Sequence, residues 1–310
     1  PNRFPDEGTE PEYNNVDGTL WFVEAVRAYH EATRDDAFRR QVYPLLVEIV
    51  ERHLRGTRFG IRADVDALLS SGEPGQQLTW MDAKVEGSVV TPRSGKPVEV
   101  QALWHNALRI VALYAADLGD AFTAARLLAL ADQARESFTA LFWDDRVGWL
   151  ADVVAPDGTR DLSLRPNQLF ALSLHRPLVS GARAEKVLRV VEERLLTPYG
   201  LRSLDPQHPD YRGRFQGGPS ERDAAYHQGT TWPWLLGPLV DAHLAVRGNS
   251  PESRRVASTW LAPLVEHLFG PGLGLLPEVF DGDAPHRPGG CVAQAWSVGE
   301  VLRAVLRTGT

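Results

Sequence analysis

The sequence predicts an all-α protein built from stacked helical hairpins, on three observations. Apolar residues recur three to five apart through most of the chain, and alternating strand patterns are scarce. Brief polar links alternate with much longer connections that carry most of the Gly, Pro and Trp.

Each helix has its own signal. The periodicity predicts helices over roughly 17–33 and 37–54, separated by the polar "ATRDD" at 32–36, and over 99–117. In "AFTAARLLALADQARESFTALF" (121–142), Phe122, Leu127, Leu130, Ala131, Ala134, Phe138 and Leu141 share one face, while Arg126, Asp132, Arg135 and Glu136 face water. Four more helices are expected at 183–196, 230–247, 251–268 and 292–307. For 230–247, Pro233 suits the first turn and Thr230 or Thr231 the cap. Links such as "DLGD" (117–120) and "RGNS" (247–250) are the length expected between antiparallel neighbours. The long connections, 55–98, 142–165, 197–229 and 269–291, are where a site is expected.

Composition narrows the function. With 43% apolar and 24% charged residues, 310 residues bury an ordinary globular core. The net charge of −7 is spread along the chain with no basic run, so no nucleic-acid or anionic-membrane footprint is expected, and no apolar run approaches a membrane span. The single cysteine, Cys291, excludes an internal disulfide framework and a Cys-based zinc site, in keeping with a cytoplasmic protein. Lysine occurs only at Lys84, Lys96 and Lys186, and two of these flank "LTWMDAKV" (78–85), in a chain that otherwise uses arginine.

Candidate chemistry sits in the long connections. Asp82 in "TWMDAK" and Glu278 in "LLPEVFDGD", with Asp281 and Asp283 close behind, supply carboxylates on separate elements, as acid/base hydrolysis of a glycosidic bond requires. Each also has a plainer reading, Asp82 as a turn or cap residue and Glu278 as a solvated loop charge. Trp80 and Met81 are placed to wall Asp82 with apolar surface, which would favour its protonated form. Trp80, Trp104, Trp232, Trp234 and Trp296 lie in or beside the long connections and offer faces on which sugar rings stack, although a Trp is more often core. In "AYHQGTTWPW" (225–234), His227 and Gln228 are placed to hydrogen-bond a ligand; no second His stands at metal-ligand spacing. Phosphate-loop, nucleophile-elbow and zincin motifs are absent, so neither metal nor organic cofactor is expected.

Four stretches, in order, carry a resemblance: 56–109 around "TWMDAKVEGSVVTPRSGKPVEVQALWHNALR", "RPNQLFALSL" (165–174), 197–238 ending in "AYHQGTTWPWLLGP", and "PEVFDGDAPHRPGGCVAQAWSVGEVLR" (277–303). Together they closely resemble the C-terminal amylo-α-1,6-glucosidase domain of bacterial and archaeal glycogen debranching enzymes. The resemblance implies one glycosidase domain over 1–310, an (α/α)6 toroid of six helical hairpins whose long connections gather at one mouth. It implies inverting hydrolysis of α-1,6-linked glucose at branch stumps of glycogen or a branched α-glucan oligosaccharide. Asp82 maps to the general acid and Glu278 to the base, with Asp281 the rival base, and an inverting pair stands roughly 6.5–9.5 Å apart. Sugar-binding positions carried over are Trp80, Lys84, Arg93, Glu99, Trp104, Asn106, Gln168, His227, Gln228 and Trp232. His105, Gly18 and Thr231 depart from the family's usual Tyr, Ala and Val. Family members also carry a Trp-Phe-x-Asp-x-Gly-Arg-Asp segment and the first toroid helices before the "PNRF" that opens this chain. A toroid truncated at its N-terminal side, with about nine of twelve helices and apolar flanks exposed on its first and last hairpins, is the expectation. The alternatives are an exo-α-glucosidase of the same toroid class acting on α-1,4 ends or a disaccharide, and a carbohydrate-binding fragment without turnover.

Overall fold

The computed structural model describes residues 10–309, so the "PNRF" opening lies outside it. Among the described residues are ten α-helices: α1 (Gly18–Thr33), α2 (Asp36–Arg55), α3 (Val98–Asp117), α4 (Ala121–Phe142), α5 (Phe170–Ser173), α6 (Gly181–Arg194), α7 (Pro219–Ala225), α8 (Leu236–Arg247), α9 (Pro251–Phe269) and α10 (Ala295–Thr308). The chain forms two compact units. One comprises residues up to Asp82, Pro92–Trp143 and Val153–Asp161; the other comprises Ala83–Thr91, Asp144–Asp152 and the chain from Leu162 onward.

The first unit holds the hairpins α1/α2 and α3/α4. Their turns are made by local chemistry. Arg34 takes a left-handed conformation (φ 58°), and Asp35 then caps α2 by accepting the Phe38 N–H at 2.9 Å. Asp120 caps α4 in the same way, accepting from Thr123 N–H at 3.1 Å. α3 runs through the core with sixteen of its twenty residues buried, packed on α1, α2 and α4. The inward stripe of α4 is Leu127, Ala131, Ala134, Phe138 and Phe142; the last two rings stack at 4.5 Å. Truncating Phe138 to Ala would cost about 3–5 kcal/mol. Lys96 bridges the turn at 64–68, its ammonium 2.6 Å from Asp66 and 3.3 Å from Asp64.

The second unit is built around α8, which packs against α5, α6, α9 and α10. Ser250 caps α9 through the Ser253 N–H at 3.1 Å. A five-stranded antiparallel sheet of very short strands runs Leu196–Thr197, Gly200–Arg202, Thr231–Trp232, Val279–Phe280, Pro288–Gly289, with Arg202 and Phe280 both registered on Thr231. That sheet corrects the sequence reading at 230–247. Thr231 and Trp232 are drawn into ladder pairing, a 3₁₀ turn follows at Pro233–Leu235, and the α-helix begins at Leu236. Neither threonine caps it; Thr230 donates its hydroxyl to Ala225 O at 2.7 Å.

Exposed apolar side chains are spread over several helices: α10 leaves Val298, Leu302 and Leu306, four apart, exposed, α1 leaves Phe22 and Tyr29, and α2, α3, α4 and α9 also carry some, Phe122 and Phe269 among them.

Candidate active site

In the first unit the segment 78–82 is held at both ends of its run. Val16 donates its N–H to Leu78 O at 2.8 Å. The Thr79 hydroxyl accepts from Met81 N–H at 3.3 Å and from Arg93 Nη1 at 3.2 Å. The run therefore alternates: Met81 is fully buried, Trp80 half-buried, and Asp82 exposed to solvent. No helix starts after Asp82, so it is not a cap; the chain goes on to the strand Lys84–Val85. Met81 is taken up by the core.

Arg93 and Glu99 form a buried two-pronged ion pair, with Nη2 2.7 Å from Oε2 and a second, shorter contact between Nη1 and Oε1. Asn106 donates to Glu24 at 2.7 Å, tying α3 to α1. Trp104 is fully buried, gives its indole N–H to Ala67 O at 2.9 Å and stacks on His53 at 5.6 Å, the contacts of a core ring.

One residue of this cluster was not singled out from the sequence. Asp17, at the start of α1, makes no side-chain cap bond. Desolvation first, then the nearby carboxylates of Glu99 and Asp82, push its carboxyl up to about 7, against the lowering effect of its own backbone N–H and of Arg93. Asp17 is thus the group in the cluster that holds a proton near neutrality. Nothing beside it in the sequence marks it, since Glu99, Asp82 and Arg93 are remote along the chain.

In the second unit, Glu278 and Asp281 flank the strand Val279–Phe280 and differ sharply in their partners. Glu278 exchanges main-chain contact with Cys291, donating its N–H to Cys291 O at 2.8 Å, while its Oε2 accepts the Cys291 N–H at 3.0 Å. Its Oε1 accepts from Gln294 Nε2 at 2.9 Å. The Gln294 oxygen is already used by Ala295 N–H at 2.9 Å, so the amide cannot turn round. Gly290 (φ +68°) passes so close that a Cβ there would strike the Glu278 carboxylate. The result is a half-buried carboxylate aimed in one direction. Asp281 is buried, and its two oxygens are occupied by Phe215 N–H at 2.7 Å and Gln216 Nε2 at 3.0 Å. It pins the 211–218 loop to the sheet. Asp283 does the same nearby, accepting from the Tyr211 hydroxyl at 2.9 Å.

His227 and Trp232 lie in a buried aromatic stack, ring centroids 5.1 Å apart and nearly parallel, and the Trp232 N–H goes to Tyr226 O at 3.1 Å. Gln168 is buried, its oxygen taking Leu150 N–H at 3.3 Å and its nitrogen giving to Arg165 O at 3.2 Å. Gln228 is buried against Arg165, Nη2 to Oε1 at 2.7 Å. Lys84 opens a short hairpin whose turn uses Glu86 (φ 50°) and Gly87 (φ 78°), and it is half-buried. Trp234 stacks on Trp296 at 5.3 Å, leaving Trp296 the more exposed ring. Among the described residues, no group of three or more His, Cys, Asp or Glu side chains is arranged to hold a metal ion, and no helix is long and apolar enough to cross a membrane.

The candidate residues therefore form two sets. Trp80, Asp82, Arg93, Glu99, Trp104 and Asn106 belong to the first unit, and Lys84, Gln168, His227, Gln228, Trp232, Glu278 and Asp281 to the second.

A predominantly helical frame of this kind is found in known glycosidases. The fold matches a GH78 family rhamnosidase of Bacillus sp. GL1 with a TM-score of 0.61 at 17% identity, over 94% of this chain and 26% of that one. It matches the neutral trehalase of Saccharomyces cerevisiae with a TM-score of 0.53 at 16% identity, over 68% of this chain and 38% of that one. The chain belongs to the amylo-alpha-1,6-glucosidase family, whose sequence model matches residues 1–303. Among curated relatives, the glycogen debranching enzyme of Saccharomyces cerevisiae is 26% identical over 76% of this chain, and the solabiose phosphorylase of Paenibacillus borealis 27% over 75%. A periplasmic trehalase of Salmonella typhimurium is 30% identical over 39% of the chain. The chain spans 21% of the length of that debranching enzyme and 31% of the phosphorylase.

Proposed function

We propose that the protein hydrolyses α-1,6-linked glucose at the branch stumps of glycogen or a related branched α-glucan, with inversion at the anomeric carbon. Asp82 protonates the leaving oxygen and Glu278 takes the proton of the attacking water. Family membership across nearly the whole chain supports the reaction class. The observation that carries the residue assignment is burial: each carboxylate accepts one hydrogen bond on each oxygen, but Asp281 is enclosed at 2% exposure while Glu278 is half-buried and open to water. A base must be fixed in direction yet reachable by water, and Glu278 meets that description. The exposure of Asp82 suits a group that meets a large leaving polysaccharide. A toroid of six helical hairpins is the frame this reading entails.

The test is release of free glucose from a phosphorylase limit dextrin and from an α-1,6-linked trisaccharide. Turnover of both supports the reading; turnover of maltose or of an α,α-linked disaccharide in their place would shift it to the second reading. That second reading, disaccharide cleavage, draws its support from the trehalase match.

A further inference from the structure

Arg165 opens the "RPNQ" stretch and is given no part in the reaction above, yet it is buried and its guanidinium donates three hydrogen bonds. Its Nη1 donates to His227 O at 2.6 Å and to Ser203 O at 3.1 Å, and its Nη2 donates to Gln228 Oε1 at 2.7 Å. The serine it holds closes the clamp, since Ser203 Oγ accepts the Gly229 N–H at 2.9 Å. Residues 227–229 are thus gripped through a carbonyl, a side chain and an amide.

The consequence lies in the Gln228 amide. An amide side chain presents either its oxygen or its nitrogen, and its partners decide which. A guanidinium has only donors, so the atom facing Arg165 is the oxygen. The nitrogen makes one long contact, to Val90 O at 3.4 Å, which leaves donor capacity for a ligand.

We propose that Arg165 is a positioning residue that locks Gln228 with its nitrogen turned away from the guanidinium, so that the site offers a glucosyl hydroxyl oxygen an N–H donor and not a carbonyl acceptor. This rests on the reading of the site as a glucosyl-binding one. Lysine cannot replace the clamp, because one ammonium on a flexible stem does not reproduce the planar fork that reaches all three acceptors.

The experiment is a double-mutant cycle read by calorimetric binding of a glucose-configured iminosugar to wild type, Arg165→Lys, Gln228→Ala and the double variant. Each single change is expected to weaken binding about tenfold, the worth of one good hydrogen bond. The double variant is expected to bind no worse than Gln228→Ala, within a factor of about two, because Arg165 acts through Gln228. Losses that multiply to about a hundredfold, or an Arg165→Lys protein that binds like wild type, would overturn the proposal. Gln228→Glu serves if Arg165→Lys does not fold: it keeps an oxygen for the guanidinium and lacks the N–H. It should bind as weakly as Gln228→Ala, and wild-type binding by it would overturn the assignment. A wild type that binds the iminosugar but releases no glucose from α-1,6 substrates would overturn the linkage reading alone. A wild type that does not bind it would overturn both.

Discussion

The regions carrying Asp82 and Glu278 solve opposite problems. Around Glu278 the chain supplies donors: a main-chain N–H from Cys291 and an amide from Gln294, each already oriented by a second bond. Around Asp82 it supplies other carboxylates, Asp17 and Glu99, with a single guanidinium, Arg93, that is paired to Glu99. Donors favour a charged carboxylate, while desolvation and like charges favour a protonated one. The two regions therefore differ in what surrounds the carboxylate, hydrogen-bond donors at Glu278 and, beside the raised Asp17, other acids. What differs is not the residue type but what each loop brings beside it.

The largest effect expected from breaking this comparison is on rate. Asp82→Asn and Glu278→Gln should each lower kcat/KM on limit dextrin by about 10²–10⁴-fold, the usual worth of a positioned acid or base. The melting temperature of Asp82→Asn should stay close to wild type, since Asp82 is exposed and caps no helix.

Asp17 tests the electrostatic half of the comparison. Its folded carboxyl titrates at about 7 against an ordinary value of 3.8. Below pH ~4 both folded and unfolded states hold the proton, and above that the unfolded chain releases it while the folded one keeps it. Stability is therefore lost as pH rises from about 4 to about 7, and the loss is constant beyond. Taking 1.36 kcal/mol per unit, it is at most ~4 kcal/mol. Melting curves of wild type and Asp17→Asn across that window should diverge by several degrees in favour of the variant at the upper end; parallel curves would mean that Asp17 is not the protonated member of the cluster.

Asp281→Asn sharpens the contrast at the base. It should retain most of the rate and lose about 1–3 kcal/mol of stability by urea denaturation, because a buried acceptor of two hydrogen bonds is compromised. A loss of rate as large as that of Glu278→Gln would exchange the two roles.

The smallest expected effect is a gain. Thr231 is buried in the sheet beside Phe280, and its hydroxyl has no hydrogen-bond partner. Thr231→Val removes an unsatisfied polar atom at constant shape and should stabilise by up to ~1 kcal/mol, read as a higher urea midpoint at unchanged slope.

Most helices were legible because their evidence is local. Most of the α4 face, Leu127, Ala131, Ala134 and Phe138, and the brief links between hairpins are written within a few residues of where they act, whereas Phe122, expected on that face, is 79% exposed in the first turn of the helix. The strands were not, because at two or three residues each they are too short to show alternation, and their pairing partners lie far off in sequence. The start of α8 was misjudged for that reason: Thr231 pairs with Phe280, forty-nine residues on, and no neighbour of Thr231 announces it. The choice between Glu278 and Asp281 was likewise closed to local reading. Both sit in one motif and both accept two hydrogen bonds, and what separates them is burial, with Asp281 enclosed against the loop at Phe215 and Gln216 and Glu278 only half-buried. Asp17 was closed to local reading as well, because its carboxyl is raised first by burial and then by Glu99 and Asp82, which are far off in sequence.

The most direct test of an acid and a base working on opposite faces of one sugar is the anomer of the first glucose released. Proton NMR of an α-1,6-linked substrate in the first minutes of reaction, before mutarotation, should show β-glucose growing in ahead of α-glucose. Initial accumulation of α-glucose would contradict the account, because it requires a nucleophile and a covalent intermediate in place of a base.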